Sequence, residues 1–198
     1  MLMRITLTLL FIVPFLTAQS QKRKMYFPIW SFQQGNSIIY GISLGLWDFS
    51  NTPKNTSTNG LRISLIGEGI FVPLSPESPI ARNDSIFNVR KKQSITEYIN
   101  GINISGSGIA GDYKINGISL GLIGQIAYKV NGFSAAAMNF TEIHNGIQVG
   151  LFVNDCYKMN GIQIALFNNA HKTRGIQIGL WNVNEKRKLP FLNWNFRG

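Results

Sequence analysis

The sequence predicts an all-β fold, a β-solenoid-like stack of short repeats, and three observations carry that expectation. Glycines at 101, 117, 132, 146, 161 and 175 follow one another at steps of 16, 15, 14, 15 and 14 residues, and a short, nearly constant period is the mark of stacked repeats. After each glycine, apolar residues alternate with small or polar ones, as in Ile147, Val149, Leu151 and in Ile162, Ile164, Leu166. A spacing of two means a strand with one buried face, and no segment shows a helical period. Asn stands before the glycine at 100, 116, 131, 145 and 160; Asn-Gly tolerates positive φ and makes a sharp corner.

Taken in order, residues 1–20 read as a secretory signal peptide: Arg4, an apolar run from Ile5 to Leu16, and small residues at Ala18 or Ser20 for cleavage. The run is too short to span a bilayer, and no cysteine follows it to carry a lipid anchor. Residues 21–198 read as a single β-repeat domain. Gln21-Lys22-Arg23-Lys24 is a basic linker, and Met25 to Phe32 an irregular or edge strand. Gly41-Ile-Ser-Leu-Gly-Leu-Trp47 is an early repeat copy, 51–59 a polar loop, and Asn59-Gly60 opens another copy. Residues 72–99 hold Pro73, Pro76 and Pro79 and interrupt the pattern as a surface insertion. Regular repeats occupy 100–188. The apolar, aromatic tail 189–198 covers or completes the last of them.

Two architectures fit. In a solenoid each repeat is a coil and like positions stack. In an antiparallel β-meander each repeat is one strand and Asn-Gly a hairpin turn, which could close as a small outer-membrane β-barrel. Every copy keeps its apolar half just after the glycine, and stacking preserves that band where a meander would break it. The solenoid is therefore the expectation.

Stacking predicts three outward columns. The first ends in Gln148, Gln163, Gln177, the second is uniformly small, and the third ends in Phe152, Phe167, Trp181. The glutamines and aromatics together form a candidate partner-binding face, with the insertion or the tail as its alternative cover. A basic column, Lys114, Lys129, Lys158, Lys172, Lys186, is a candidate anion-facing ridge. The chain has 19 Lys and Arg against 9 Asp and Glu, and cleavage of the leader would remove only Arg4 from the basic side. That balance suits anionic lipid, envelope polysaccharide or another envelope protein without selecting one, and nucleic acid is not expected. Low charged content, 14%, argues against a disordered chain.

Nothing reads as catalytic. Gly-Ile-Ser-Leu-Gly around Ser43 and Ser119 matches a nucleophile elbow, but that repeat position holds glutamine elsewhere, and glutamine cannot replace a nucleophile. Gly106-Ser-Gly-Ile-Ala-Gly111 matches a dinucleotide fingerprint with no helix to follow it. The two histidines and single cysteine make no metal motif, so neither cofactor nor metal is expected.

The run Asn160-Gly-Ile-Gln-Ile-Ala-Leu-Phe-Asn-Asn169, then Gly175-Ile-Gln-Ile-Gly-Leu-Trp-Asn-Val-Asn184, then Lys186 to Trp194, resembles an uncharacterised family of bacterial exported surface-repeat proteins. The resemblance covers the last half well and 60–80 loosely. It implies an exported protein of the periplasm, outer membrane or cell surface, and it implies no activity. Arg174 departs from the Asn-Gly corner, and Phe133-Ser-Ala-Ala-Ala departs from the Ile-x-Ile core. The expectation is thus a non-enzymatic envelope protein with a structural or binding role.

Overall fold

The computed structural model describes residues 23–49, 54–75 and 77–197. The expected leader and part of the 51–59 loop lie outside them. The described residues form ten strands in one open, mixed sheet: β1 (Lys24–Tyr26), β2 (Ile29–Ser31), β3 (Ser37–Asp48), β4 (Thr56–Gly67), β5 (Glu97–Ser105), β6 (Gly108–Ala110), β7 (Tyr113–Gly121), β8 (Gly124–Ile164), β9 (Phe167–Val183) and β10 (Lys188–Asn195). A short helix, α1 (Asp84–Arg90), lies in the insertion.

The repeat glycines set the register. Gly41 lies beside Gly60, Gly60 beside Gly101, Gly101 beside Gly117, Gly117 beside Gly132, and Gly161 beside Gly175, all in parallel pairing. β8 is long because it runs through successive coils. Its internal stacking shows in the corner amides, where Asn145 Nδ2 donates to Asn131 Oδ1 (2.6 Å) and Asn160 Nδ2 to Asn145 Oδ1 (2.7 Å). Gly146 explains the invariant corner: its φ is 132°, and a Cβ there would collide with the Gly132 carbonyl below. The fold is all-β with stacked 14–16-residue coils. The antiparallel meander is not what forms, since among the described strands only β9 and β10 pair antiparallel and the sheet does not close.

The sidedness is the reverse of the expectation. Gln148, Gln163 and Gln177 are fully buried, whereas Ile147 is 41% and Leu151 63% exposed. Each coil is narrow, and its interior must satisfy the backbone at its corners. Amides do this. Asn154 Nδ2 donates to the carbonyls of Gln148 (3.1 Å) and Ile164 (3.0 Å) and to Asn168 Oδ1 (3.0 Å). Gln163 Nε2 donates to Gln148 Oε1, and Gln177 Nε2 to Gln163 Oε1, both at 2.9 Å. The small column is therefore interior room rather than an outward strip. A Cβ at Gly150 would sit 2.6 Å from Asn154 Oδ1.

Apolar packing fills much of the other inner side, two residues before the repeat glycines, with Ile39, Ile99, Ile115, Val130 and Met159; Thr58, His144 and Thr173 occupy the same column. The N-terminal end of the interior holds a charged cluster. Arg62 donates to Asp48 (2.5 Å) and Glu97 (3.1 Å) and lies 3.9 Å from the Phe32 ring, while Lys54 and the Tyr113 hydroxyl also reach Asp48. At Asp48 burial is outweighed by Arg62 and Lys54, and the carboxyl is held below its usual range. At Glu97 burial wins and its pKa is raised.

A 3-10 turn (Glu68–Leu74) leads into the insertion, which contains α1, a helix the sequence pattern did not signal. The insertion's Val72, Ile80, Ala81 and Phe87 pack on Phe140 and Tyr157. The tail completes the stack: β10 adds one antiparallel rung, with Asn193 buried beside Gln177 and Trp194 exposed beside Ile176.

Candidate binding face

Three aliphatic columns stand on the outside of the sheet, one, three and five residues after each glycine. Ile102, Ile118 and Ile147 represent the first, Leu44, Ile104, Leu120, Ile164 and Ile178 the second, and Leu46, Leu65, Leu122, Leu151, Leu166 and Leu180 the third; all are exposed. Leu192 and Trp194 of β10 carry the face one rung further, and Ile29 of β2, beside Ile42, does so at the other end. The glycine rungs at 41, 60, 101, 117, 132, 146, 161 and 175, spaced about 4.8 Å apart, make the face about 35 Å long, and five residues across make it about 17 Å wide. Its flat projection of about 600 Å² reaches the upper end of what soluble monomers expose. One rung is shallow at its second and third columns, where Ala135 and Ala137 replace larger aliphatics, while Phe133 stands in the first.

The long borders differ. One carries Trp47, Phe152, Phe167 and Trp181, each about half exposed. The insertion reaches only the middle of this border, where Met138 packs against its cluster. The opposite border carries the corner asparagines, a hydrogen-bonded row in which Asn100, Asn116 and Asn131 donate in turn at 2.7–2.8 Å. Beyond them stand lysines, with Lys114 beside Lys129 and Lys158 beside Lys172. Ile143 interrupts the row. Lys186 is not in it: it lies in the turn before β10 and donates to Asn195 Oδ1 and the Arg197 carbonyl, both at 3.1 Å. Lys172 is paired with Asp84 at 2.5 Å, and that hydrogen bond raises the lysine's pKa and lowers the carboxyl's.

The proposed glutamine-and-aromatic face thus divides. Phe152, Phe167 and Trp181 are outside, while Gln148, Gln163 and Gln177 are inside and unavailable to a partner. The face sequence reasoning missed is the aliphatic one. A signal was present: the column two residues after each glycine, Asn103, Ser119, Ser134, Gln148, Gln163 and Gln177, holds no charged residue, unusual for strand positions meeting water.

Ser43 and Ser119 sit mid-strand inside the coil, and Ser119 Oγ accepts from Asn103 (3.0 Å) and donates to Gln125 (2.8 Å). Cys156 is buried between Thr141 and Gln148, and burial pushes its thiol pKa up. Among the described residues no group of His, Cys, Asp and Glu is placed to hold a metal, and no helix is long and apolar enough to cross a membrane. No family model, curated protein or solved structure matches the chain.

Proposed function

We propose that this chain is a non-enzymatic protein of the cell envelope that works by laying its aliphatic face on the acyl surface of an anionic membrane leaflet. The observation that carries this is the face itself, three exposed aliphatic columns running the length of the stack. Covering about 600 Å² at about 25 cal/mol per Å² corresponds to about 15 kcal/mol before the cost of immobilising the molecule. A fluid layer suits the face better than a folded partner does. The surface repeats itself every rung, so a rigid partner could slide by about 4.8 Å and meet the same contacts. Acyl chains have no register to lose. The charge agrees: the lysine border and a net charge of +10 favour anionic headgroups and oppose pairing of two copies. Aromatic rings on the other border fit the interfacial layer. Export is supported by the leader pattern of residues 1–20 and by the resemblance of the repeats.

Vesicle flotation tests the reading. The wild type is expected to float with phosphatidylglycerol-containing vesicles. The triple variant Leu151→Gln, Ile164→Gln, Leu180→Gln, unchanged in circular dichroism, is expected to lose at least about a hundredfold in partitioning, from roughly 1 kcal/mol or more per side chain. Flotation of the variant like the wild type, or a wild type that ignores vesicles and sediments as a stable dimer, would sink it.

A further inference from the structure

The asparagine border ends in a different residue. Where Asn100, Asn116, Asn131, Asn145 and Asn160 stand at successive corners, the next rung has Arg174, which lies beside Asn160. The end of β10 comes to the same place: Asn195 pairs with Gly175, and Phe196 and Arg197 follow it. The result is a cleft of about 550 Å³ in which Lys158, Lys172, Arg174 and Arg197 converge. Asp84 neutralises Lys172. The carboxylate of Glu185 is taken by the Thr173 N–H and by Asn195. Lys158 also acts on Asp84 and lies 4.6 Å from the Phe87 ring centroid, and among the described residues no acid lies within ion-pair distance of Arg174 or Arg197.

The cleft opens onto a second hollow of about 540 Å³, lined by Ile162, Ile176 and Phe196. Arg174, Asn160 and Phe196 line both. A ligand that filled the pair would need an anionic head at the guanidinium groups and a hydrocarbon tail on the isoleucines. Arginine suits a phosphate head because its planar fork donates two parallel hydrogen bonds to two oxygens. The tail would run directly onto the aliphatic face.

We propose that this cleft is a lipid-headgroup site: Arg174 and Arg197, with Lys158, hold the phosphate of an anionic phospholipid whose acyl chain lies on Ile162, Ile176 and Phe196. The inference rests on the reading of the aliphatic face as membrane-facing and adds to it a headgroup-selective point near the C-terminal end of the stack.

The test uses the full chain and short-chain lipids below their micelle threshold, followed by titration calorimetry. Dihexanoyl phosphatidylglycerol is expected to bind at least about tenfold more tightly than glycerol phosphate, which lacks the tail, and than dihexanoyl phosphatidylcholine, whose head carries a compensating cation. Arg174→Asn restores the corner residue of the other repeats, so the fold has a ready place for it. It is expected to weaken phosphatidylglycerol about tenfold or more, the scale of one charge-assisted contact. Ile176→Thr should weaken the lipid and leave glycerol phosphate unchanged. Equal binding of glycerol phosphate and lipid, which marks a site for a free anion, overturns the proposal, as does an Arg174→Asn protein that binds like the wild type. The two readings fail separately. If the aliphatic triple variant still floats while Arg174→Asn loses the lipid, the face reading falls and the cleft stands; the opposite pattern removes the cleft and leaves the face.

Discussion

Replacing His144 with methionine isolates one buried titration. His144 lies in the inner column whose neighbouring rungs hold Val130 and Met159, and it is fully buried. Burial lowers its pKa from the usual 6.5 to about 4, the backbone at Ile147 and Gly132 only partly opposing the shift. The unfolded chain therefore takes up a proton below about pH 6.5 that the native protein refuses until about pH 4. Stability is lost across that window as the pH falls and is constant with respect to this group above and below it. A shift of roughly 2.5 units at 1.36 kcal/mol per unit is about 3 kcal/mol, of which about 2 kcal/mol is gone by pH 5. Methionine fits the column and does not titrate. Urea unfolding of both proteins at pH 7.5, 6.5, 5 and 4 reads the difference. Other groups, including Glu142 with its burial-raised pKa and its partner Arg90, are common to both proteins and cancel. The variant's advantage over the wild type is expected to grow by about 3 kcal/mol between pH 7.5 and 4. Profiles that stay parallel within about 0.5 kcal/mol would refute a neutral, solvent-excluded His144.

Two further substitutions probe the interior. Gln163→Leu breaks the amide ladder, leaving Gln148 Oε1 only the Cys156 thiol, Gln177 Nε2 only the Val183 carbonyl, and the Asn169 carbonyl without its amide donor, and chemical denaturation should show a loss of about 1–3 kcal/mol; Asn145→Ala, on the outer asparagine row, should cost less than about 1 kcal/mol. Arg62→Met leaves Asp48 and Glu97 facing one another without their shared cation, so unfolding at pH 7 should register a loss of about 3–5 kcal/mol, partly recovered at pH 5 as Glu97, whose pKa burial already raises, takes up a proton.

The repeat was legible because its determinants are local. Glycine at each corner is demanded by a positive φ and by the carbonyl of the coil below, as at Gly146, so the period could be read from spacing alone. The early copies at Gly41 and Gly60 and the break at 72–99 were equally visible. The helix α1 was not, because seven residues held by an Asn83 cap and Phe87 packing are too few to show a period. The two arginines of the cleft were also hidden as a pair: Arg174 registered only as a departure from the corner, and nothing in the chain's order places Arg197 beside it.

Alternation along a strand defines two faces but carries no label saying which one turns inward. The sequence by itself determined the stack, its period and the in-register rows. Tertiary structure decided their sidedness, since the strand after each glycine turns its amides inward, where they satisfy the backbone carbonyls of the coil, and so leaves its aliphatic side to the exterior. It also brought the tail's Phe196 and Arg197 against Arg174 by turning β10 back along β9, a reversal that depends on pairing between strands rather than on any local preference.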